Sequence, residues 1–354
     1  MTAPTSKHTY DIIIIGAGPA GLCLGQHLKE NGVKSFCILE KGPAPGDSWS
    51  AMPEWLRLIS YWQDNYLRPQ DEKRFAPYHQ ASATEFSQYL RELSNGLEIH
   101  THSTVSSLQK EGDLFSLGTT YGELKAKAVV LCVGYYSEPV GLDAEVLREA
   151  TIPVHHFADM RGVRFEAHKK YLVVGKALSA GQVIEQIHDV LGRFDISCRS
   201  EIKFGLGPLM QKFFLRHLER IENLIRKISR NKSSKVPMDG TLKAIIKNAK
   251  AEVRPPVSKV QGKTVYFKDG THSDYEGIVL ATGFRYAGTK LLRGFYREDS
   301  IISVELTQLV KGFEAPLVPH LYFLGVDNQV DFTSRFLRGI RRDARVLAQL
   351  LKTQ

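Results

Sequence analysis

The chain has 354 residues, of which 47 are Lys or Arg and 38 are Asp or Glu, so its formal net charge is +9. Hydrophobic residues make up 43% and charged residues 24%, a composition that supplies a core and excludes wholesale disorder. Apolar runs such as Ile12–Ile15 fall far short of the roughly 20 residues that a membrane span needs. The length predicts two or three domains.

We expect a reducing, cytoplasmic setting. Residues Met1–Thr9 lack the apolar region of a secretory signal. The positive charge fits nucleic acid, an anionic membrane or phosphorylated ligands as partners, or solubility alone. The four cysteines are too few and too scattered for a disulfide framework: Cys23, Cys37, Cys132 and Cys198.

The first motif is a glycine-rich turn between a strand and a helix. The β-branched run in Tyr10–Ile15 predicts a strand that is buried on both faces of a parallel sheet. The turn GAGPAG follows, then a helical pattern over Leu22–Asn31. A second strand, Ser35–Leu39, ends at the acid Glu40. This order of elements predicts a dinucleotide-binding unit.

Each glycine of this turn has a physical role in such a unit. Gly16 permits the tight turn, Gly18 lets the backbone approach a pyrophosphate, and Gly21 lets the helix pack closely on the sheet. The helix N-terminus offers unpaired N–H groups to the phosphates, and Glu40 can accept hydrogen bonds from ribose hydroxyls. The predicted contacts at this site are Gly16, Gly18, Pro19, Ala20, Gly21, Glu40 and Lys41.

A second strand, turn and helix begins at Tyr171–Val174 and continues through the turn GKALSAG to a helical pattern over Gln182–Leu191. Ala177 stands at the middle glycine position, where a methyl group holds the backbone slightly away from a pyrophosphate. The next strand, Phe194–Cys198, is followed by Arg199 rather than an acid.

The guanidinium of Arg199 suits the 2′-phosphate of NADPH, and the Ser200 hydroxyl adds a contact. The alternative is a doubly wound domain that has lost its nucleotide. The predicted NADPH contacts are Gly175, Lys176, Ser179, Ala180, Arg199 and Ser200.

Two such units in one chain resemble the flavoproteins with two dinucleotide-binding domains. Val129–Gly134 resembles the strand that returns the chain to FAD, and Ile278–Phe284 resembles the second crossing with its ATG motif. Leu321–Asp327 resembles the late strand whose acid contacts the flavin. The resemblance implies FAD in the first unit and NADPH in the second, with Gly134, Val105 and Asp327 among the FAD contacts.

Within that superfamily the chain resembles the class B monooxygenases, which include flavin-containing, Baeyer–Villiger and YUCCA enzymes. The segments that carry the likeness are Gly46–Trp49 (a GxxW motif), Leu56–Leu58, Thr84–Leu90, Ser137–Asp143 and Val154–His156. The resemblance implies that NADPH reduces FAD and that dioxygen then gives a C4a-(hydro)peroxyflavin. This species would oxygenate a small metabolite by N- or S-oxygenation, hydroxylation or Baeyer–Villiger chemistry.

The catalytic residues are not identified by the sequence. Trp49 and Ser48 are expected beside FAD, although a tryptophan after a turn also serves as core packing. Arg57 is a candidate cation beside the flavin, with a surface salt bridge as the alternative, and Ser60 is a candidate polar group. The chain has no HExxH motif and no paired CxxC, so we predict no metal site.

Two other functions stay open. A FAD-dependent NAD(P)H reductase, similar to ferredoxin reductase, would use both nucleotides without oxygen chemistry. A non-catalytic flavin-binding protein would bind its partner without using either nucleotide for turnover.

The positive charge is concentrated in one segment. Arg199–Arg254 holds 14 Lys or Arg and 5 Asp or Glu, and its apolar spacing predicts an amphipathic helix with a break. The segment is interpreted as a helical lid, or as a peripheral contact through 206–235 with a membrane or an acidic protein. Nucleic acid is not an expected partner, since no recognition motif is present.

The predicted fold class is α/β, with two Rossmann-like dinucleotide-binding domains. The NADPH domain, residues 166–269, is inserted into an FAD domain formed by residues 1–165 and 270–354. The basic helical segment 201–254 lies within the NADPH domain. The sequence does not predict the oligomeric state.

Overall fold

The computed structural model describes residues 9–228, 236–296 and 312–353. The strands of these residues, in chain order, are β1 (Thr9–Ile15), β2 (Phe36–Leu39), β3 (Ile99–His100), β4 (Val105–Glu111), β5 (Leu114–Thr119), β6 (Gly122–Leu131), β7 (Glu149–Ala150), β8 (Val154–His156), β9 (Lys170–Val174), β10 (Arg193–Ser197), β11 (Val253–Arg254), β12 (Val257–Gly262), β13 (Thr264–Phe267), β14 (His272–Asp274), β15 (Gly277–Leu280), β16 (Glu314–Ala315) and β17 (Val318–Phe323).

The helices of the described ranges are α1 (Pro19–Glu30), α2 (Asp47–Ser50), α3 (Ala83–Leu93), α4 (Ala144–Leu147), α5 (Leu178–Asp189), α6 (Pro208–Arg216), α7 (Leu218–Ile228), α8 (Leu242–Asn248), α9 (Thr289–Leu292) and α10 (Leu337–Lys352). Three short 3₁₀ helices cover Trp62–Asp64, Pro69–Arg74 and Phe157–Asp159.

The first sheet carries the first glycine-rich turn. Its order is β16-β17-β6-β1-β2-β3, and β4 and β5 extend it beside β6. The central strands β17, β6, β1, β2 and β3 run parallel. Ile12 and Ile14 of β1 join a core with α1, α3 and α10, whereas Ile13 and Ile15 join a core on the opposite face. The continuous apolar run of β1 therefore follows from burial of both faces.

The second sheet carries the second glycine-rich turn. Its order is β11-β10-β9-β15-β8, with every pair parallel, and a third sheet has the order β14-β13-β12-β7. The second sheet includes Val154–His156 and Gly277–Leu280, strands that lie outside the range 166–269. The predicted domain limits stay a prediction. The α/β fold class with two Rossmann-like units is confirmed.

Both nucleotide helices begin earlier than the apolar pattern indicates. α1 begins at Pro19 rather than Leu22, because proline is favoured in the first helical turn, where no N–H partner is lost. α5 begins at Leu178 rather than Gln182. The predicted basic helix is two helices, α6 and α7, that meet at His217, while residues 229–235 lie outside the described ranges.

Candidate active site

A cavity of about 1850 Å³ reaches both glycine-rich turns. It is lined by most of the residues that the sequence predicts: Gly16, Gly18, Pro19, Ala20, Glu40, Lys41, Ser48, Trp49, Arg57, Ser60, Val105, Gly134, Gly175, Lys176, Ser179 and Arg199. Within the described ranges, four predicted residues are not among its lining: Gly21, Ala180, Ser200 and Asp327.

The first turn leaves room for a phosphate. Gly16 has φ +105°, and a Cβ at this position would lie 2.6 Å from the carbonyl oxygen of Cys132. A Cβ at Gly18 would meet nothing within 4 Å, so the backbone there borders open space. No side chain caps the start of α1 at Pro19, which leaves its first N–H groups available to an anion.

Glu40 is bonded to the backbone of the turns around it. Its Oε2 accepts the N–H of Ala17 at 2.7 Å, and its Oε1 accepts the N–H of Gly42 at 2.8 Å. Each carboxylate oxygen has a further lone pair. The predicted ribose contact of Glu40 therefore stays a prediction, and the structure adds a role in holding the turn.

Two buried polar atoms beside this turn have no hydrogen-bond partner among the described residues. They are the Ser103 hydroxyl, at the cavity wall, and Oδ1 of Asp327. Oδ2 of Asp327 receives Nη1 of Arg335 at 3.1 Å, and its backbone N–H donates to the Tyr135 hydroxyl at 3.0 Å. Arg335 is the member of this pair that lines the cavity. No motif marks Ser103, and sequence reasoning missed it.

Three aromatic rings form a wall of the cavity. Trp49 contacts Phe86 of the core with ring centroids 4.6 Å apart, and its ring lies 6.0 Å from that of Tyr136. Tyr136 in turn lies 5.0 Å from Phe284. Trp49, Tyr136 and Phe284 line the cavity. The sequence signal for Tyr136 and Phe284 was their position after the glycines Gly134 and Gly283.

The two other catalytic candidates already have partners. The Ser60 hydroxyl donates to Oδ1 of Asn65 at 2.9 Å, and Nδ2 of Asn65 donates back to the Ser60 carbonyl at 2.9 Å. Arg57 is exposed, and its Nη1 lies 3.3 Å from the carbonyl oxygen of Gln80.

The second turn is as constrained as the first. Gly175 has φ +148°, and a Cβ there would lie 2.3 Å from the Ala281 carbonyl oxygen. Ala177 precedes α5 in an extended conformation without a side-chain cap. Nζ of Lys176 donates to the Ser200 hydroxyl and to the carbonyl oxygen of Glu201.

Arg199 is exposed and lines the cavity. It has no ion pair in the described parts of the chain. The structure thus gathers Lys176, Ser200 and Arg199 where β9 and β10 end.

The residues present fit both dinucleotides. At the first turn, the open space at Gly18, the uncapped helix and the unpartnered Ser103 hydroxyl suit FAD. At the second, the uncapped start of α5 and the cations of Lys176 and Arg199 suit a phosphorylated nucleotide such as NADPH.

The cysteines do not form a redox pair. All four are free, and Cys23, Cys37 and Cys132 are buried. Burial raises the pKa of Cys132, so this thiol stays protonated and is a poor nucleophile at neutral pH.

One group of possible metal ligands occurs in the described ranges. Donor atoms of Cys37, Glu98 and His100 lie within 4.8 Å of one another. Sequence reasoning missed this group, for which Glu98 and His100, two residues apart, were a signal. Tyr10 and His100 contact the Glu98 carboxylate at 2.7 and 3.0 Å, which satisfies the cluster without an ion. The predicted absence of a metal site stays a prediction.

The fold and its two turns define a flavoprotein with two dinucleotide-binding units. A model of the pyridine nucleotide-disulphide oxidoreductase family matches residues 13–325, and the chain belongs to this family. It is a flavin-dependent oxidoreductase, and its cofactors are FAD and NADPH.

Two curated relatives illustrate the range of the family. An uncharacterized CzcO-like oxidoreductase of Geobacillus kaustophilus is 26% identical over 96% of this chain and 98% of its own length. The protein named probable indole-3-pyruvate monooxygenase YUCCA3 of Arabidopsis thaliana is 26% identical over 82% of this chain and 77% of its own.

Two solved structures share the fold. The flavin-containing monooxygenase from Stenotrophomonas maltophilia has a TM-score of 0.72 at 20% identity, with 98% of each chain covered. The bacillithiol disulfide reductase Bdr from Bacillus cereus has a TM-score of 0.70 at 18% identity, covering 98% of this chain and 99% of its own.

Proposed function

We propose that the protein is an NADPH-dependent flavin monooxygenase that oxygenates a small metabolite with an aromatic or apolar group. The observation that carries the proposal is the shared cavity, whose lining includes both Gly18 of the first turn and Gly175 of the second. Two nucleotides that enter one cavity can bring their reactive rings together, as hydride transfer requires.

The proposed roles of the chain's own residues are binding, orientation and exclusion of water. Glu40 fixes the first turn through Ala17, and Lys176 and Arg199 bind the phosphates of NADPH. FAD held at the first turn would supply the chemistry of accepting hydride from NADPH and passing electrons to dioxygen. The rings of Trp49 and Tyr136 exclude water from the reacting centre.

The aromatic wall supports an aromatic or apolar substrate. Trp49, Tyr136 and Phe284 present ring surfaces to the cavity, and such surfaces gain most from apolar or aromatic ligands. Two relatives are named for aromatic acids: the indole-3-pyruvate monooxygenase YUCCA3 and a 4-hydroxybenzoate brominase of Marinomonas mediterranea, 23% identical over 96% of this chain. Arg335 at the same cavity would pair with a substrate carboxylate.

The test is a product analysis under isotopically labelled dioxygen. The FAD-loaded protein is incubated with NADPH and a panel of aromatic acids, aromatic amines, thioethers and ketones, and products are analysed by mass spectrometry. One labelled oxygen atom in a product supports the proposal, and the labelled position identifies the reaction type. Steady NADPH consumption with only peroxide across the whole panel contradicts it.

The alternative, a FAD-dependent NAD(P)H reductase, makes a different prediction. A reductase would transfer electrons from NADPH to a quinone or protein acceptor at the same rate with and without dioxygen. Anaerobic assays with a soluble quinone and with ferredoxin therefore separate the two enzymes.

A further inference from the structure

The segment 203–224, which contains α6 and most of α7, presents large apolar side chains to solvent. Leu206, Met210, Phe213 and Leu224 are 45%, 59%, 57% and 61% exposed. Exposed cations stand among them. We call this set the basic helical surface: Lys203, Leu206, Met210, Lys212, Phe213, Arg216, Arg220 and Leu224.

The opposite side of the helix pair packs against the rest of the protein. Leu218 is 4% exposed, and Glu222 makes a two-bond ion pair with Arg338 of α10, both side chains being largely buried. Gln63 donates to the Arg216 carbonyl oxygen at 3.4 Å. No described residue of α6 or α7 lines the large cavity, so no observed contact supports the lid interpretation. These contacts fix the helices so that their apolar side chains point outward.

The charge around the apolar side chains indicates the partner. Residues 202–218 contain three Lys or Arg and no Asp or Glu. The whole net charge of +9 equals the surplus of 14 cations over 5 acids in Arg199–Arg254. Two copies of this surface would repel each other, which disfavours a second copy as the occupant. Exposed apolar side chains with cations among them are typical of amphipathic helices that lie on an anionic bilayer.

We propose that the basic helical surface binds peripherally to anionic lipid, with Met210 and Phe213 inserted at the headgroup boundary. Met210 and Phe213 are three residues apart on α6 and share one face. Lys203, Lys212 and Arg220 contact lipid phosphates. No helix in the described parts of the chain is long and apolar enough to cross a bilayer, and the proposed contact requires none.

The test is cosedimentation of the full, FAD-loaded chain with vesicles. Vesicles of phosphatidylcholine alone are compared with vesicles that also contain phosphatidylglycerol, at low and high salt. We expect binding to the anionic vesicles only. The M210D/F213D variant should lower the partition coefficient roughly tenfold or more, and K212Q/R220Q should lower it roughly 30-fold at low salt.

The matched control is Leu317→Asp, an exposed leucine (75%) outside the surface, which should bind like the parent protein. Flavin absorbance and the melting temperature verify that each variant is folded. If the parent protein does not bind to anionic vesicles, the proposal is wrong. Equal binding of M210D/F213D also overturns it, since this would mean charge attraction without insertion. A dimer that M210D/F213D converts to a monomer would instead assign the surface to self-association.

Discussion

The carboxylate of Glu40 accepts the backbone N–H of Ala17 at 2.7 Å, so the acid that ends β2 is bonded directly to the turn that follows β1. The same carboxylate holds Gly42 at 2.8 Å. An acid at this position therefore shapes the turn, and its remaining lone pairs can accept hydrogen bonds from a ribose. We expect this side chain to couple FAD binding to the stability of the first sheet.

Replacing Glu40 with Gln should weaken FAD binding and lower the stability of the first sheet. The amide keeps one acceptor oxygen and loses the charge, so one of the two buried N–H groups loses its partner. We expect the free energy of unfolding without FAD to fall by about 1–3 kcal/mol and FAD affinity to fall roughly tenfold. Glu54→Gln, at an exposed position, is the control. Unchanged FAD binding in Glu40→Gln would remove the assigned role.

Arg199→Ala should change the choice of nucleotide. A guanidinium that meets the 2′-phosphate contributes a charge-assisted pair, so KM for NADPH should rise roughly 10- to 100-fold. KM for NADH should stay unchanged, because NADH has no phosphate there. Lys203→Ala, an exposed cation nearby in the chain, should leave both values intact. Equal effects on the two nucleotides would refute the assignment.

Gly175→Ala should impair the second nucleotide site and leave the first intact. The added Cβ would lie 2.3 Å from a carbonyl oxygen, at a φ of +148° that side chains rarely adopt. We expect FAD to bind normally while NADPH no longer reduces it. The control is Gly141→Ala. Gly141 lines the same cavity, and a Cβ there would have no atom within 4 Å, so this variant should bind and reduce FAD like the parent protein. Normal reduction in Gly175→Ala would contradict the second site.

Tyr136→Ala should raise peroxide production at little cost in stability. The side chain is 44% exposed and stands between Trp49 and Phe284, so its loss admits water rather than opening the core. The measured quantity is peroxide released per NADPH consumed. Tyr121→Ala, at 45% exposure on another surface, controls for exposure. A ratio unchanged from the parent in Tyr136→Ala would mean that the ring does not exclude water.

The stability of the protein should depend on pH through the titration of Asp64. Burial raises the pKa of its carboxyl to about 6, and nearby Glu219 and Glu222 act in the same direction against Arg338 and Arg341. An unfolded aspartate titrates near 3.9, so the folded chain binds the extra proton between about pH 4 and 6. The contribution of Asp64 to stability is therefore greatest below this window and is lost as the pH rises through it.

Asp64→Asn should remove that fall and stabilise the protein at pH 7 by about 1–3 kcal/mol, with little effect at pH 4. Denaturant unfolding from pH 4 to 7.5 measures the difference. Asp113→Asn, at an exposed site, should leave the pH profile unchanged. A constant difference between Asp64→Asn and the parent at every pH would exclude the proposed titration.

The sequence predicted the nucleotide-binding elements because their signals are local. The strand expected at Tyr10–Ile15 is β1 at Thr9–Ile15, and the strand expected at Tyr171–Val174 is β9 at Lys170–Val174. Buried parallel strands are continuous apolar runs, and the turns that follow them need glycine at Gly16 and Gly175 for steric reasons. The positive φ of each glycine is a local property of its turn, whereas the atoms that a Cβ would meet belong to the distant residues Cys132 and Ala281.

The walls of the cavity could not be predicted in this way. Trp49, Tyr136 and Phe284 come from three separate parts of the chain and meet only through tertiary packing. Ser60 was a candidate by position, but its hydroxyl is held by Asn65, a contact that no spacing rule gives. Asp327 was placed by resemblance, whereas its partner Arg335 is the residue that lines the cavity.

In the proposed function, NADPH at the second glycine-rich turn reduces FAD at the first glycine-rich turn. The most direct measurement is anaerobic rapid mixing of the FAD-loaded protein with one equivalent of NADPH while the flavin absorbance is recorded. We expect complete bleaching of the flavin, which should be slower in Arg199→Ala and absent in Gly175→Ala. An unchanged flavin spectrum with the parent protein, for NADPH and NADH alike, would contradict the proposed function.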